Sequence, residues 1–201
     1  MAVRASDVSL HSIRRLWPAD RNAVLAYFLR LDPEARASRC MGNVSEAGVR
    51  AYAAQAIRAD GMMYGAFVDN TMRGLGELRP MGPCPSRFVL GPQAEAAFAV
   101  ERDFRRRGLG ADLFARIARA ARHRGVTDLH VRCLSGNGPM LLLAAKQGAA
   151  LQRAGSEIDG ALQLERPTPF SLWYEGIAEA FDFSLAASFP NLDSPTHSGG
   201  R

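Results

Sequence analysis

The six residues Arg105-Arg106-Arg107-Gly108-Leu109-Gly110 constrain this chain more than any other stretch. They follow the near-continuous apolar run Ala96-Ala97-Phe98-Ala99-Val100, which predicts a buried central strand. They precede Leu109, Leu113, Phe114, Ile117 and Ala121, which share one face of a helix with Gly125 as its stop. A buried strand must therefore pass through a tight glycine turn into an amphipathic helix. Glycine allows that turn and lets the backbone approach a ligand closely. The first helical turn leaves N–H groups that point at an anion, and the arginines add positive charge. The physics is that of a pyrophosphate site. A GxGxxG fingerprint fails because its third glycine would fall at Leu113, and a Walker lysine is absent, so neither NAD nor ATP is indicated.

Elements on either side follow from periodicity and turn chemistry. Residues 8–16 alternate as a first strand, and Asp20 is placed to cap a helix bearing Val24, Leu25, Phe28 and Leu29. Asp32-Pro33-Glu34 starts a second helix, and residues 45–59 make a third. Residues 62–68 and 71–79 flank Asp69-Asn70 as an antiparallel hairpin, and residues 80–85 form a proline-rich loop. Residues 88–90 and 93–101 are predicted to pair around Gly91-Pro92. Leu129, Val131 and Cys133 alternate as a strand, and Pro139 to Gln147 form a short helix. Residues 149–153 and 161–165 form a hairpin turning near Asp159-Gly160. Beyond Arg166 a helix over residues 171–187 has Leu172, Trp173, Ile177, Phe181 and Leu185 as its apolar side, packed on the domain or on a second copy. Residues 191–201 read as a disordered tail.

Composition removes other classes. The chain has 201 residues, 47% of them apolar, enough for one core without a disulfide or metal staple. Its apolar runs fall far short of the ~20 residues of a membrane span, and charges interrupt the N-terminus where a signal peptide needs apolar length. Cys40, Cys84 and Cys133 sit in no CxxC, and the four histidines are scattered, which suits a reducing cytoplasm and argues against a zinc site. The net charge of +5 is local, since eight of the 25 basic residues lie between Arg102 and Arg124. Without interleaved aromatics or a DNA-reading motif, that cluster does not indicate nucleic acid.

The Arg-x-x-Gly-x-Gly pattern of Arg105, Gly108 and Gly110 resembles motif A of the GNAT acyl-CoA N-acyltransferases. Twenty-nine residues past Gly108, Asn137-Gly138-Pro139-Met140-Leu141-Leu142-Leu143-Ala144 through Gly148 is similar to that family's N-x-x-M-L-x-L-A-x-x-x-G segment. The resemblance covers about residues 8–165 and implies an α/β (α+β) fold. In it a mixed, mostly antiparallel sheet of six or seven strands splays at the central strands, flanked by helices. The implied division is a catalytic domain over residues 1–166 and a C-terminal helical extension over 167–201.

The resemblance further implies acetyl-CoA as the acyl donor, CoA as product, and a primary amine as acceptor, a protein lysine included. Phe98, Ala99 and Val100 would bind the pantetheine arm through their backbone. Arg105, Arg106, Arg107, Gly108, Leu109, Gly110 and Ala111 would hold the pyrophosphate, with Asn137 and Met140 beside the arm. Asn137 equally suits a simple N-cap. Lysine, with a free pKa near ~10.4, needs a base before it can attack. Ala94-Glu95-Ala96-Ala97-Phe98-Ala99-Val100 resembles a segment of bacterial protein lysine acetyltransferases that carries a glutamate at this spacing, which makes Glu95 the candidate base and Glu77 the reserve. Leu31-Asp32-Pro33-Glu34-Ala35-Arg36-Ala37-Ser38-Arg39-Cys40-Met41-Gly42 resembles an acceptor-side segment of the same subfamily and nominates Arg36 and Arg39, with Glu77, as substrate-binding. Its departures at Ala37, Ser38, Cys40 and Met41 remove bulk from that wall. Many relatives place a tyrosine where Ala144 stands, so here either water or the solvent-accessible thiolate suffices or another group serves, Ser135 and Cys133 being weak candidates. Direct transfer in a ternary complex follows, with no partnered cysteine for a ping-pong route. Acetylation of a small amine (polyamine, amino acid or antibiotic) and non-catalytic acyl-CoA sensing are the alternatives, and the assembly is a monomer or a homodimer.

Overall fold

A computed structural model describes residues 11–40, 45–57, 61–86 and 88–188. The start of the predicted first strand (8–10), Met41-Gly42, residues 58–59 of the third helix and the tail 191–201 lie outside them. Seven strands form one sheet in the order β1-β2-β3-β4-β5-β7-β6: β1 His11–Arg15, β2 Met62–Val68, β3 Thr71–Pro80, β4 Gln93–Val100, β5 Asp128–Leu134, β6 Ala150–Ala154 and β7 Glu157–Gln163. All neighbours are antiparallel except β4 and β5. That pair runs parallel and matches only Gln93–Glu95 with Asp128–His130. Beyond this short ladder the strands separate, and the sheet opens into a fork at its centre.

Both faces are covered. Helix α4 (Leu109–His123) buries Leu109, Leu113, Phe114, Ile117, Ala120 and Ala121 against one face. On the other, α1 (Arg21–Arg30) buries Val24, Tyr27 and Phe28, α2 (Pro33–Cys40) buries Ala35, and α3 (Glu46–Ala56) buries Val49, Ala53 and Ala56. Close approach of α4 depends on Gly76, where a Cβ would stand 2.5 Å from Ile117 Cδ1. The hairpin turn puts both Asp69 and Asn70 at positive φ, 49° and 58°, as a two-residue primed turn requires. Asp32 and Ser45 cap α2 and α3 through Ala35 N–H and Gly48 N–H.

Three local expectations are corrected. Asp20 does not cap α1 with its side chain. Its carboxylate instead accepts from Trp17 N–H at 2.8 Å and from Arg14, so it serves the preceding 3-10 turn. Residues 88–90 form no strand with β4, and only a single bridge joins Ser86 to Val89, because β3 already fills that edge of β4. The last hairpin turns at Gly155-Ser156, with Gly155 at φ 64°, while Asp159 and Gly160 lie within β7. A Cβ at Gly160 would stand 3.0 Å from Leu151 Cδ2, so that glycine serves packing across the pair instead of a turn.

The C-terminal helix α6 (Pro169–Ser188) is inverted relative to its apolar periodicity. Glu175 and Asp182 are buried, whereas Ile177, Phe181 and Trp173 are 50–64% exposed. The side chains of Leu172 and Leu185 lie outside the described residues. The cause is α4, whose Arg116 is itself buried and requires counter-charge. Arg116 pairs with Glu175 and, at 3.5 Å, with Asp182. Arg124 and Arg15 both reach Glu179, at 2.7 and 3.1 Å, and Arg15 N–H donates to Asp182 at 2.9 Å. The Arg116 guanidinium also lies 4.6 Å over the Tyr64 ring, whose hydroxyl burial pushes up to about 12. Breaking a buried cluster of this kind by removing one partner strands the others. Arg116→Met is expected to cost about 3–5 kcal/mol in denaturant unfolding, and adding Glu175→Leu and Asp182→Leu to it should recover most of that loss.

Candidate active site

The central fork forms because β4 outruns its parallel partner. Met81 N–H bonds Gln93 O and Glu101 N–H bonds Arg73 O, so odd-numbered residues along β4 direct their backbone groups toward the β3 side. Even-numbered residues face β5. Pro92 O receives Thr127 N–H and Asp128 N–H, both at 2.9 Å. Past Glu95 no strand meets this edge, so the N–H and C=O groups of Ala96, Phe98 and Val100 front an opening. Ala97 and Phe98 of β4, Val131, Arg132 and Cys133 of β5, and Arg39 of α2 line it. Asn137 and Met140 close it from α5 (Gly138–Lys146), where Asn137 Oδ1 accepts from Met140 N–H at 3.3 Å. Asn137 is therefore both the cap of α5 and part of the cleft wall.

One end of the fork leads into the glycine turn. Arg106 and Gly108 both take positive φ, 62° and 91°, and the chain enters α4 directly from Gly108. Asp112 N–H is the first to reach a carbonyl of this helix end, Gly108 O at 3.1 Å, leaving those of Leu109, Gly110 and Ala111 ahead of it. Alternating backbone signs followed by a helix N-terminus create a concave set of N–H donors suited to a phosphate. The Asp112 carboxylate, which would repel one, is paired with His11 at 2.7 Å.

The arginines of this segment divide their roles. Arg105 turns back, its Nε donating to Val100 O at 3.1 Å and its guanidinium 3.7 Å from Asp32, so it does not line the donor set as expected. Arg107 lies 5.2 Å over Phe104, and Arg106 is exposed beside the turn. Arg102 engages Glu34 at 2.8 Å. With Arg116 and Arg124 committed to α6, much of the basic cluster is neutralised internally. Ala35 N–H, together with Arg102 and Arg105, outweighs slight burial and holds the Asp32 carboxyl below its usual range.

On the α2 face the candidates separate further. Arg39 reaches the cleft with its guanidinium hydrogen-bonded to Glu77 and, at 2.8 Å, to Tyr52 Oη. Glu77 also accepts from Tyr52 and Arg79 and is only 5% exposed. Burial pushes its carboxyl up, but Arg39, Arg79 and the Tyr52 hydroxyl outweigh burial and hold it below the ordinary range. Glu77 is thus a fixed counter-ion that orients Arg39, poorly suited to be the reserve base or to touch an acceptor. Arg36 bonds Leu29 O and Leu31 O, tying α1 to α2, and does not line the cleft. Glu95 is half-buried, opposite Arg79 on β3 and His130 on β5. No hydrogen bond or ion pair among the described residues engages its carboxylate. Sequence reasoning missed Tyr52, Arg132 and a pair formed by His130 Nδ1 and Asp159 Oδ2 at 3.1 Å.

The Glu77 network carries a pH signature. Its folded pKa lies below the unfolded one, so its stabilisation is present above the ordinary carboxylate range and lost as pH falls through the folded value. Glu77→Gln should lower the melting temperature near neutral pH, and the melting curve of that variant should fall less steeply than wild type between about pH 5 and about pH 3.

Known proteins share this fold. The Acetyltransferase (GNAT) family description matches residues 25–149, more than half of the chain. The fold is similar to the GNAT domain of S. lividans PAT, with TM-score 0.64, 18% identity, and 76% of this chain and 89% of that one covered. It is also similar to YncA from Salmonella typhimurium, solved with its cofactor acetyl-CoA (TM-score 0.59, 16% identity, 80% and 97% covered). A third likeness is to the PaiA N-acetyltransferase from Thermoplasma acidophilum in complex with coenzyme A (TM-score 0.59, 16% identity, 77% and 99% covered). A search of curated proteins finds no match by sequence. With the forked sheet and the glycine turn, the family match over residues 25–149 makes this chain a member of the GNAT acetyltransferase family, an acetyl-CoA-dependent N-acyltransferase.

Proposed function

We propose that this chain acetylates a primary amine, a protein lysine foremost, by direct attack in a ternary complex with Glu95 as general base. The observation that carries the reading is the β4 edge past Glu95, where the backbone groups of Phe98 and Val100 have no strand to pair with. An extended chain of amides fits there as an added strand. Acetyl-CoA, once bound, supplies that amide-bearing arm and the thioester carbonyl to be attacked. Arg105 gives up Val100 O to the arm and would exchange its Asp32 contact for a phosphate. Residues from Arg106 to Ala111 hold the pyrophosphate through backbone N–H groups, and Asn137 and Met140 flank the arm.

The acceptor enters from the α2 face, where Arg39 stands in the wall. Among the described lining residues two are arginines and none is acidic, which disfavours a polyamine. The likeness of residues 31–42 to the acceptor-side segment of lysine acetyltransferases favours a protein lysine over an amino acid or antibiotic. Three cysteines without CxxC spacing suit a reducing cytoplasm. None of the described helices is long and apolar enough to cross a membrane. The working division is a catalytic domain over 1–166 with a helical extension from 167, acting as a monomer or homodimer.

Calorimetric titration should give micromolar binding of acetyl-CoA and CoA and none of NAD. Glu95→Gln is expected to lower kcat by about 10²–10⁴-fold with acetyl-CoA affinity unchanged. A sensor would instead bind acetyl-CoA and release no CoA in the presence of any amine. Cys133 lies in the cleft at 3% exposure, and burial pushes its thiol up. Acetyl-CoA should therefore slow its alkylation while exposed Cys84 reacts at an unchanged rate, as read by peptide mass spectrometry.

A further inference from the structure

His130 stands at the apex of the fork, in the last matched rung of β4 and β5, as the register partner of Glu95. Ala94 and Ala96 on β4, with Leu129 and Val131 on β5, belong to the core on the α4 face. Strand alternation therefore turns Glu95 and His130 together toward the opposite face, that of α2 and Arg39. Neighbouring strands stand about 4.8 Å apart, so the two side chains are lateral neighbours. One pleat further along the same face the cleft wall begins, at Ala97 and Arg132.

The far side of His130 is occupied by β7. There Asp159 Oδ2 lies 3.1 Å from His130 Nδ1. An ionised carboxylate only accepts, so Nδ1 carries the proton of this bond and a neutral ring keeps its lone pair on Nε2. The His130 side chain is 18% exposed, within reach of solvent. Asp159 Oδ1 is buried without a hydrogen-bond partner, so this carboxylate has capacity to stabilise added positive charge on the ring. The charged groups around His130 on this face are Glu95, Arg79 beyond it, Asp128 and Arg132 on β5, Asp159, and Arg39 from α2.

Proton balance gives this pair a task. An alkylammonium carries three N–H protons and the product amide one, so two must leave the nitrogen. A single carboxylate holds only one at a time. We propose that His130, oriented by Asp159, is a relay that accepts the first proton from Glu95 and so returns Glu95 to its basic form for the second. This deepens the acetyl-transfer reading and rests on it. Glu95 takes one proton from the ammonium and passes it across one bridging water to Nε2, giving an imidazolium beside Asp159. The neutral amine then forms its C–N bond to the thioester carbonyl carbon while the C–S bond breaks, and the nitrogen yields its second proton to Glu95. One of the two protons ends on the departing sulfur and the other in solvent. His130 acts through Glu95 and is a positioning residue in that sense.

The test uses the full chain, acetyl-CoA, and two probe acceptors: a lysine-containing peptide, and hydroxylamine, which is already neutral at pH 7 and has fewer protons to lose. His130→Gln is expected to lower kcat with the peptide by about 10²-fold and to change its pH profile. The loss should be several-fold smaller with hydroxylamine, and acetyl-CoA affinity by calorimetry should match wild type. Asp159→Asn should give a weaker loss in the same direction. Independently of turnover, the ring-proton NMR chemical shifts of His130, assigned with His130→Gln, should change in both Glu95→Gln and Asp159→Asn. Wild-type kcat and pH profile in His130→Gln, alongside a defective Glu95→Gln, would overturn the relay. So would His130 ring-proton chemical shifts indifferent to both neighbours. A wild-type chain that binds acetyl-CoA yet acetylates neither probe overturns the acetyl-transfer reading itself, and the relay with it.

Discussion

The backbone hydrogen bonds that β4 does not make with β5 govern the rest of this molecule. A strand at the centre of a sheet is normally paired on both edges, since an unpaired buried amide is costly. Here the ladder stops after Gln93–Glu95, and the even-numbered groups beyond it face a cleft instead. Elements around the opening are arranged to tolerate that gap. Arg105 holds Val100 O from the end, and α5 closes the far wall through Asn137 and Met140. A site made from missing main-chain partners presents backbone groups that side-chain substitution alters little.

Charge is handled on the same principle, by pairing what cannot be left alone. Arg39 enters the cleft only because Glu77 and Tyr52 hold it from behind, and Arg116 is buried only because Glu175 and Asp182 come from α6. In both places the carboxylate is structural and the arginine is its reason for being there. That is why Glu77, the more buried of the two candidate glutamates, is the worse base. Glu95 lacks such partners among the described residues and stays available.

Local chemistry was legible wherever the signal and its cause lay within a few residues. Asp69-Asn70 announces its turn because two adjacent residues tolerate positive φ, and Gly108 announces the entry to α4 for the same reason. The splay of the sheet after the strand ending at Val100 followed from the family resemblance of residues 105–110 and 137–148. Harder to see were features set by pairing at a distance. Asp159-Gly160 has the composition of a turn, yet Asp159 is recruited to His130 twenty-nine residues earlier and Gly160 makes room for Leu151. Arg36 and Arg39 share a helix, and only the geometry of α2 sends one to the cleft and the other to the end of α1. Apolar periodicity located α6 but not its inner side, because an arginine-rich neighbour reversed the usual preference.

That reversal makes the last helix thermodynamically unlike the rest of the fold. Elements held by apolar burial leave with a large increase in heat capacity. The described residues that dock this helix inward include the acidic Glu175, Glu179 and Asp182, while Trp173, Ile177 and Phe181 meet solvent. Rising ionic strength weakens the partly exposed Arg15 and Arg124 contacts first, by screening. The chain therefore has a terminal helix whose docking to the sheet responds to salt through these ion pairs.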